Sequence, residues 1–268
     1  MGVVSVVILA PFAWLVISSV ASQADLLSRP LHWIPEHASL DRFLRISSAR
    51  GLDEGAVFRQ ALVNSAVVGV GTVALSLAVG IFGAYALARL RFPGHRHAVL
   101  AFLATYMVPP IALVVPLYLI MAELHLLDSK LGLILVYSSF VTPFVLWVLS
   151  NYFRTLPADL EDAARIDGCT RIGSLFRVIL PLARPGLFAT ILFGFLLSWD
   201  EFLYALIFTS SPSAKTIPVA IAEFTGRHGV DFGMIAAGGV LASVPPVLLA
   251  MLFQRYVVSG LASGAVKG

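Results

Sequence analysis

The chain has 268 residues, of which 59% are hydrophobic and 12% charged. Its mean hydropathy is +0.91, and a water-soluble domain has too small an interior to hide that many apolar side chains, so the composition is that of an integral membrane protein. The net charge of +3 is spread over scattered loop residues, which excludes a nucleic-acid binder, and the single cysteine, Cys169, excludes a disulfide framework, a zinc site or a CxxC redox pair.

An uncharged run from Gly2 to Ser22 opens the chain and is long enough to cross a bilayer once. No basic residue precedes it and it exceeds the apolar core of a secretory signal, so it reads as a retained first helix. From Gln23 to Gln60 the chain is polar, with Pro30, His32, Trp33 and Pro35 among charges of both signs. This reads as an external segment on the membrane surface, with Trp33 and Pro35 as interfacial anchors.

The second span is expected at Ala61 to Ala88, where Gly69, Gly71, Gly80 and Gly83 let helix backbones approach closely in lipid. Asn64, near its outer end, is a candidate for a hydrogen bond to a neighbouring helix or to a solute. The connection RLRFPGHRH, with Arg89, Arg91 and Arg96, has the density of cations that marks a cytoplasmic loop. Its histidines, His95 and His97, lack Cys or carboxylate partners and do not make a metal site.

A third span is expected at Val99 to Met121, where Pro109, Pro110 and Pro116 each remove a helix hydrogen bond and bend the axis, making either a broken helix that lines a pathway or a fixed structural kink. Glu123 to Lys130 links it to a fourth at Leu131 to Tyr152, which returns the chain to the side of the arginines. The loop from Phe153 to Arg184 carries five more arginines, at 154, 165, 171, 177 and 184. Within it, Asp159 is placed to cap a short helix, Leu160, Ala163 and Ala164 fall on one face, and Gly168 offers a stop. That helix is too short to cross a bilayer and too regular for a plain linker, so it reads as a docking piece.

The fifth span, Pro185 to Thr209, contains Trp199, Asp200 and Glu201 in the sequence SWDEF. Ionisable groups inside a membrane segment are expensive and face a bundle interior, a cavity or a partner. Ser210 to Phe232 is expected to be a second external loop, and Gly233 to Phe253 a sixth span with small residues at Gly238/Ala242 and Gly239/Ser243. The chain ends in a polar, glycine-rich tail, Gln254 to Gly268.

Asp162-Ala163-Ala164, Gly168 six residues after the Asp, and Ile179-Leu180-Pro181 eleven further on resemble the EAA loop of ABC importer permeases, here with Asp162 where the motif has Glu and Glu161 before it. Trp199-Asp200-Glu201-Phe202 is similar to the Trp-Asn-Glu-Phe of sugar permeases, and the tail resembles the ends of maltose-type permeases. The resemblance implies an all-α membrane protein with six transmembrane helices, a type I importer fold, and a coupling helix between the fourth and fifth. It makes residues 1–268 one permease domain, with a coupling loop at 153–184 and a cytoplasmic tail at 254–268. It assigns contact with an ATPase subunit to Glu161, Asp162, Ala163, Ala164, Arg165, Asp167 and Gly168, and contact of the tail to Gln254, Gly260 and Gly264. Asn64, Trp199, Asp200 and Glu201 are candidates for the pathway or a subunit interface.

The implied partners are a second, homologous permease subunit, two ATPase subunits that bind ATP and Mg, an extracytoplasmic solute-binding protein and the lipid bilayer of a bacterial or archaeal inner membrane, with both chain ends cytoplasmic. The implied cargo is a mono- or oligosaccharide. The sequence has no G-x-x-x-x-G-K-[ST] phosphate loop, so energy must come from a partner or a gradient. The residues alone leave open a proton-driven carrier using Asp200 or Glu201, and a permease for a non-sugar polar solute. An intramembrane enzyme lacks the HExxH or paired carboxylates it would need.

Overall fold

The computed structural model describes residues 2–30, 32–47, 54–90, 92–105, 107–226 and 229–265. In chain order its helices are α1 (Gly2–Val20), α2 (Gln23–Leu27), α3 (Asp41–Ser47), α4 (Glu54–Arg89), α5 (His95–Thr105), α6 (Pro110–Glu123), α7 (Lys130–Thr155), α8 (Asp159–Ile166) and α9 (Arg171–Ser174). A π-helical turn, Leu175–Ile179, leads into α10 (Leu180–Leu182), followed by α11 (Arg184–Trp199), α12 (Leu203–Phe208) and α13 (Ile217–Ala222). An antiparallel pair of two-residue strands, β1 (Thr225–Gly226) and β2 (Gly229–Val230), precedes α14 (Phe232–Ala265).

Among the described residues, three helices are long and apolar enough to cross a membrane: Gly55–Arg89, Lys130–Thr155 and Phe232–Tyr256. Arg171–Leu182 with Arg184–Trp199 makes a fourth if the pair, bent by 81°, is one span. The apolar stretches Val4–Val20 and Pro110–Glu123 are shorter.

Four features sharpen the sequence reading. The stretch expected as the third span is a broken helix: α5 ends at Thr105 and α6 starts at Pro110, with Pro109 extended (φ −60°, ψ 130°) as its cap. A proline disfavours helical backbone in the residue before it and is well placed at a first helical position, so the Pro109-Pro110 pair ends one helix and starts the next. The loop expected from Phe153 to Arg184 is helical well beyond α8, and Leu175, Ile179 and Ala183 are fully buried. Pro181 has no N–H to give, and just ahead of it the Leu180 N–H bonds Leu175 O in the wider π register. The loop after residue 210 contains α13 and the β1–β2 pair. Finally, α14 runs past the expected end at Phe253 to Ala265, straight through Pro245-Pro246.

The chain packs as two units. In the unit formed by Val67–Tyr204 and Leu248–Gly268, α4 lies against α7. Gly71 and Gly80 permit the approach: a Cβ on Gly71 would meet Ile134 Cδ1 at 2.6 Å, and one on Gly80 would meet Val145 Cγ1 at 2.5 Å. Ala84, Tyr85 and Leu87 of α4 then pack with Val145, Leu149 and Phe153 of α7 and with Leu175 and Ile179. Thr142 Oγ1 donates to Ser76 Oγ across the same seam at 3.1 Å, and a partner for each hydroxyl is what makes such groups tolerable in an apolar interior. Near the chain end, Phe253 and Tyr256 of α14 pack on Phe188 of α11, with ring centroids 5.1 and 4.3 Å away.

In the unit formed by Met1–Ala66 and Ala205–Val247, Phe58 stacks on Phe224 at 6.0 Å. Arg42 Nη1 donates to Ala21 O at 2.5 Å, and its Nε lies 3.4 Å from Asp231 Oδ1. Asp231 also accepts the Met234 N–H at 2.9 Å and so caps the first turn of α14.

Candidate functional site

The helix α8 is preceded by Leu156, extended at ψ 138° ahead of Pro157, so α7 stops at Thr155. The cap is Ala158 and not Asp159: Ala158 is already helical, makes no side-chain cap bond, and its carbonyl accepts from the N–H groups of Glu161 (2.9 Å) and Asp162 (3.2 Å). Asp159 therefore sits in the first turn with Glu161 and Asp162, where three negative charges complement the positive helix end. The other end matches expectation. Gly168 has φ +86°, its N–H bonds Arg165 O at 3.1 Å, and the Cys169 N–H bonds Ala164 O at 2.9 Å. These paired bonds are a Schellman stop, which requires a left-handed residue that only glycine adopts without strain.

Leu160, Ala163 and Ala164, expected on one face, are not buried alike. Leu160 and Ala163 are exposed, whereas Ala164 is buried and Glu161 points the same way. The Glu161 side chain is only 12% exposed. Its Oε1 accepts from the Tyr85 hydroxyl, and its Oε2 lies 3.6 Å from Arg89 Nε. Arg89 Nη2 also donates to Leu156 O at 2.9 Å, and Arg154 Nη2 donates to Leu87 O at 3.1 Å, so the ends of α4 and α7 are tied in both directions. A cleft of about 350 Å³ lies beside this cluster, lined by Arg89, Leu90, Ala158, Glu161, Asp162, Arg165 and Arg171. The outward face carries Asp162, Ala163, Arg165 and Asp167, and Ile166 is 86% exposed.

Tyr85 and Arg89 were not singled out as site residues by the sequence, in which Arg89 served only as a loop cation. Their spacing of four residues, which puts both polar tips on one face at the end of an apolar helix, is the signal that was present.

The SWDEF residues are not in the middle of a helix, as expected. Trp199 ends α11, is buried, and stacks on Phe195 with centroids 5.2 Å apart. Asp200 is the C-cap and is exposed, and Glu201 Oε1 accepts the Tyr204 N–H at 2.9 Å at the start of α12. Two helix ends meet here with unpaired backbone groups, and Glu201 satisfies one of them. These residues and α8 belong to the same unit of the chain.

Asn64 is fully buried. Its Nδ2 donates to Pro212 O and Lys215 O, each at 2.9 Å, and its Oδ1 accepts from Gln60 at 3.0 Å. It holds the 210–216 loop against α4, alongside the Ser65 hydroxyl, which accepts the Ile217 N–H at 2.8 Å. Asn64→Ala should lower the melting temperature of the purified chain clearly more than Gln60→Ala, because a stranded buried polar group costs about 1–3 kcal/mol whereas Gln60 is exposed. Thermal denaturation followed by size-exclusion chromatography checks the order.

In the tail, Gln254 is exposed on α14, and Gly260 and Gly264 lie in its last turns, while 266–268 fall outside the described residues. After α1, His32 Nδ1 lies 3.5 Å from Asp25 Oδ1 and 3.7 Å from Glu36 Oε1. The Ser22 hydroxyl, opposed by burial and aided by His32, holds the Asp25 carboxyl below its usual value.

Among the described residues, membrane-length apolar helices accompany a short acid-rich helix that ends on a glycine stop. Residues 76–263 match the family described as binding-protein-dependent transport system inner membrane component, and the chain belongs to that family. It is 38% identical over 260 residues to the sulfoquinovosyl glycerol transport system permease protein SmoH of Agrobacterium fabrum, covering 97% of this chain and 89% of that one. It is 41% identical over 237 residues to the trehalose transport system permease protein SugB of Mycobacterium tuberculosis, covering 88% and 84%. It is 36% identical over 265 residues to the trehalose/maltose transport system permease protein MalG of Thermococcus litoralis, covering 98% and 93%. A chain of a bacterial ABC transporter involved in the import of the acidic polysaccharide alginate shares the fold, with a TM-score of 0.79 over 96% of this chain and 93% of that one at 21% identity. The family is the inner-membrane component of an importer and not its ATPase.

Proposed function

We propose that this chain is one of two membrane subunits of an ATP-driven importer for a mono- or oligosaccharide, and that α8 docks on a cytoplasmic ATPase subunit. The observation that carries the cargo class is the set of sugar permeases it matches over nearly its full length. The docking role is supported by the shape of α8, an acid-rich helix held rigid at its glycine stop with Ile166 left in water. A single exposed apolar side chain is ordinary on a protein surface, so the reading rests on the acid-rich first turn and the glycine stop of α8 rather than on Ile166.

In this reading, α1, α4, the α5–α6 pair, α7, the α11–α12 pair and α14 supply six crossings, and both chain ends lie in the cytoplasm. ATP-driven closure of two ATPase subunits pushes on α8, and the helices rock between inward and outward openings. A binding protein on the outer side delivers the sugar.

The test is to purify the tagged chain from its native membrane in mild detergent and to reconstitute what accompanies it. An ATPase subunit and a second permease should co-purify, and vesicles containing them should take up a sugar only with ATP inside and binding protein outside. A chain that arrives alone and transports on a proton gradient would overturn the reading.

A further inference from the structure

We propose that Tyr85, Arg89 and Glu161 form the latch through which α8 moves α4, and that Glu161 faces the permease while Asp162 faces the ATPase. The proposal rests on α8 being the coupling helix.

The geometry separates two adjacent carboxylates. Both oxygens of Glu161 are committed inward, one to the Tyr85 hydroxyl and one toward Arg89, and the side chain is nearly covered. A carboxylate covered in this way is turned to the permease side, and its remaining acceptor sites have little exposed surface from which to meet a second protein. Asp162 follows it by one residue, about 100° around the helix, and lies exposed with Arg165 and Ile166. Each face of α8 therefore has its own task.

The covalent path from α7 to α8 runs through Leu156 and Pro157, an extended joint about which a short helix can swing. α8 also packs on α9 and the π turn, so what that joint and this packing leave out is a direct side-chain link from α8 to α4. The Glu161 link closes the path. It connects α8 to Tyr85 and Arg89, one turn apart at the end of α4, and Arg89 reaches on to Leu156 O at the end of α7. Arg154 ties α7 back to Leu87 of α4. Force on the outer face of α8 is thereby delivered to two membrane helices at once. Tyr85 and Arg89 are positioning residues, since neither faces the ATPase side.

The test uses the whole importer, with its ATPase and partner permease, in vesicles. Four quantities are read for each variant: assembly by size-exclusion chromatography, retention of the ATPase, ATP hydrolysed, and sugar taken up per ATP. Arg89→Ala and Glu161→Ala should each keep the ATPase bound and hydrolysing but lower uptake per ATP more than about tenfold, because removing one partner strands a buried charge. The double variant should be no worse than either single one, the non-additivity expected of one shared link. Tyr85→Phe removes a single oxygen and leaves the packing, so it should assemble normally and still lower uptake per ATP severalfold. Arg89→Lys, which keeps the charge, should recover part of the loss.

Asp162→Lys should instead release the ATPase. If Glu161→Ala releases it as well, Glu161 is an ATPase contact and the latch is wrong. If Asp162→Lys releases it while the Tyr85, Arg89 and Glu161 variants keep normal uptake per ATP, the latch is wrong and the coupling role of α8 stands. If neither Asp162→Lys nor any latch variant changes binding or uptake, the coupling role itself falls, and the latch with it.

Discussion

Gly168→Val is expected to abolish sugar uptake while the chain still inserts and folds. At φ +86° the backbone lies in the left-handed region, and nothing stands within 4 Å of where a Cβ would go. The cost is therefore conformational: about 1–2 kcal/mol for an ordinary residue and more for a β-branched one. That is small against a whole membrane protein but large against α8, because a helix of eight residues is marginal without its caps. Losing the Schellman bonds from Gly168 and Cys169 frees the last turn, and with it Arg165 and Ile166, from the geometry a partner would meet.

The substitutions should rank Asn above Leu above Val, since Asn tolerates the left-handed region and β-branching does not. Gly94→Val provides the control. Gly94 has φ +85°, also with open space around it, but it lies in the connection before α5. Uptake and ATPase retention measured for the four variants decide the matter. A Gly168→Val protein that assembles and transports at the wild-type rate would remove α8 from the coupling path.

The second large effect separates the sources of energy. Asp200→Asn combined with Glu201→Gln is expected to keep most ATP-dependent uptake, whereas Glu201→Ala should lose much of it. Glu201 accepts the Tyr204 N–H where α12 begins, a task a glutamine carbonyl oxygen performs and a methyl group does not. Removing such a cap costs about 0.5–2 kcal/mol, here at a break whose neighbours are the buried ring of Trp199 and the ring of Tyr204 stacked on Phe140. Asp200 is exposed at the end of α11, and Asn keeps its shape. A proton carrier has the opposite dependence, because it must change charge in every cycle and an amide cannot. Uptake in vesicles supplied with the ATPases should also persist when a protonophore collapses the gradient. Collapse of uptake with the gradient, and in the double amide variant, with ATP present, would establish a proton-driven carrier.

The sequence by itself determined the membrane class, the positions of most apolar helices and the existence and glycine stop of α8. Composition and local backbone chemistry act through residues near one another in the chain, so an apolar run, a proline pair or a glycine at a helix end is readable in place. The breaks were harder. Whether Pro109-Pro110 bends a helix or divides it, and whether Asp200 and Glu201 lie inside a helix or at a break between two, depends on which N–H and carbonyl groups find partners, and those partners come from folded neighbours. The orientation of α8 was not legible for the same reason. Periodicity put Leu160, Ala163 and Ala164 on one face without saying which way it points, and Glu161 turns inward because Tyr85, 76 residues away, and Arg89 stand there to receive it. A carboxylate is buried only where specific donors wait, and a linear pattern does not show where they are. Asn64 makes the same point: its polar amide in an apolar helix was legible, but that it would hold Pro212 and Lys215 was decided only when the chain brought that loop back to α4.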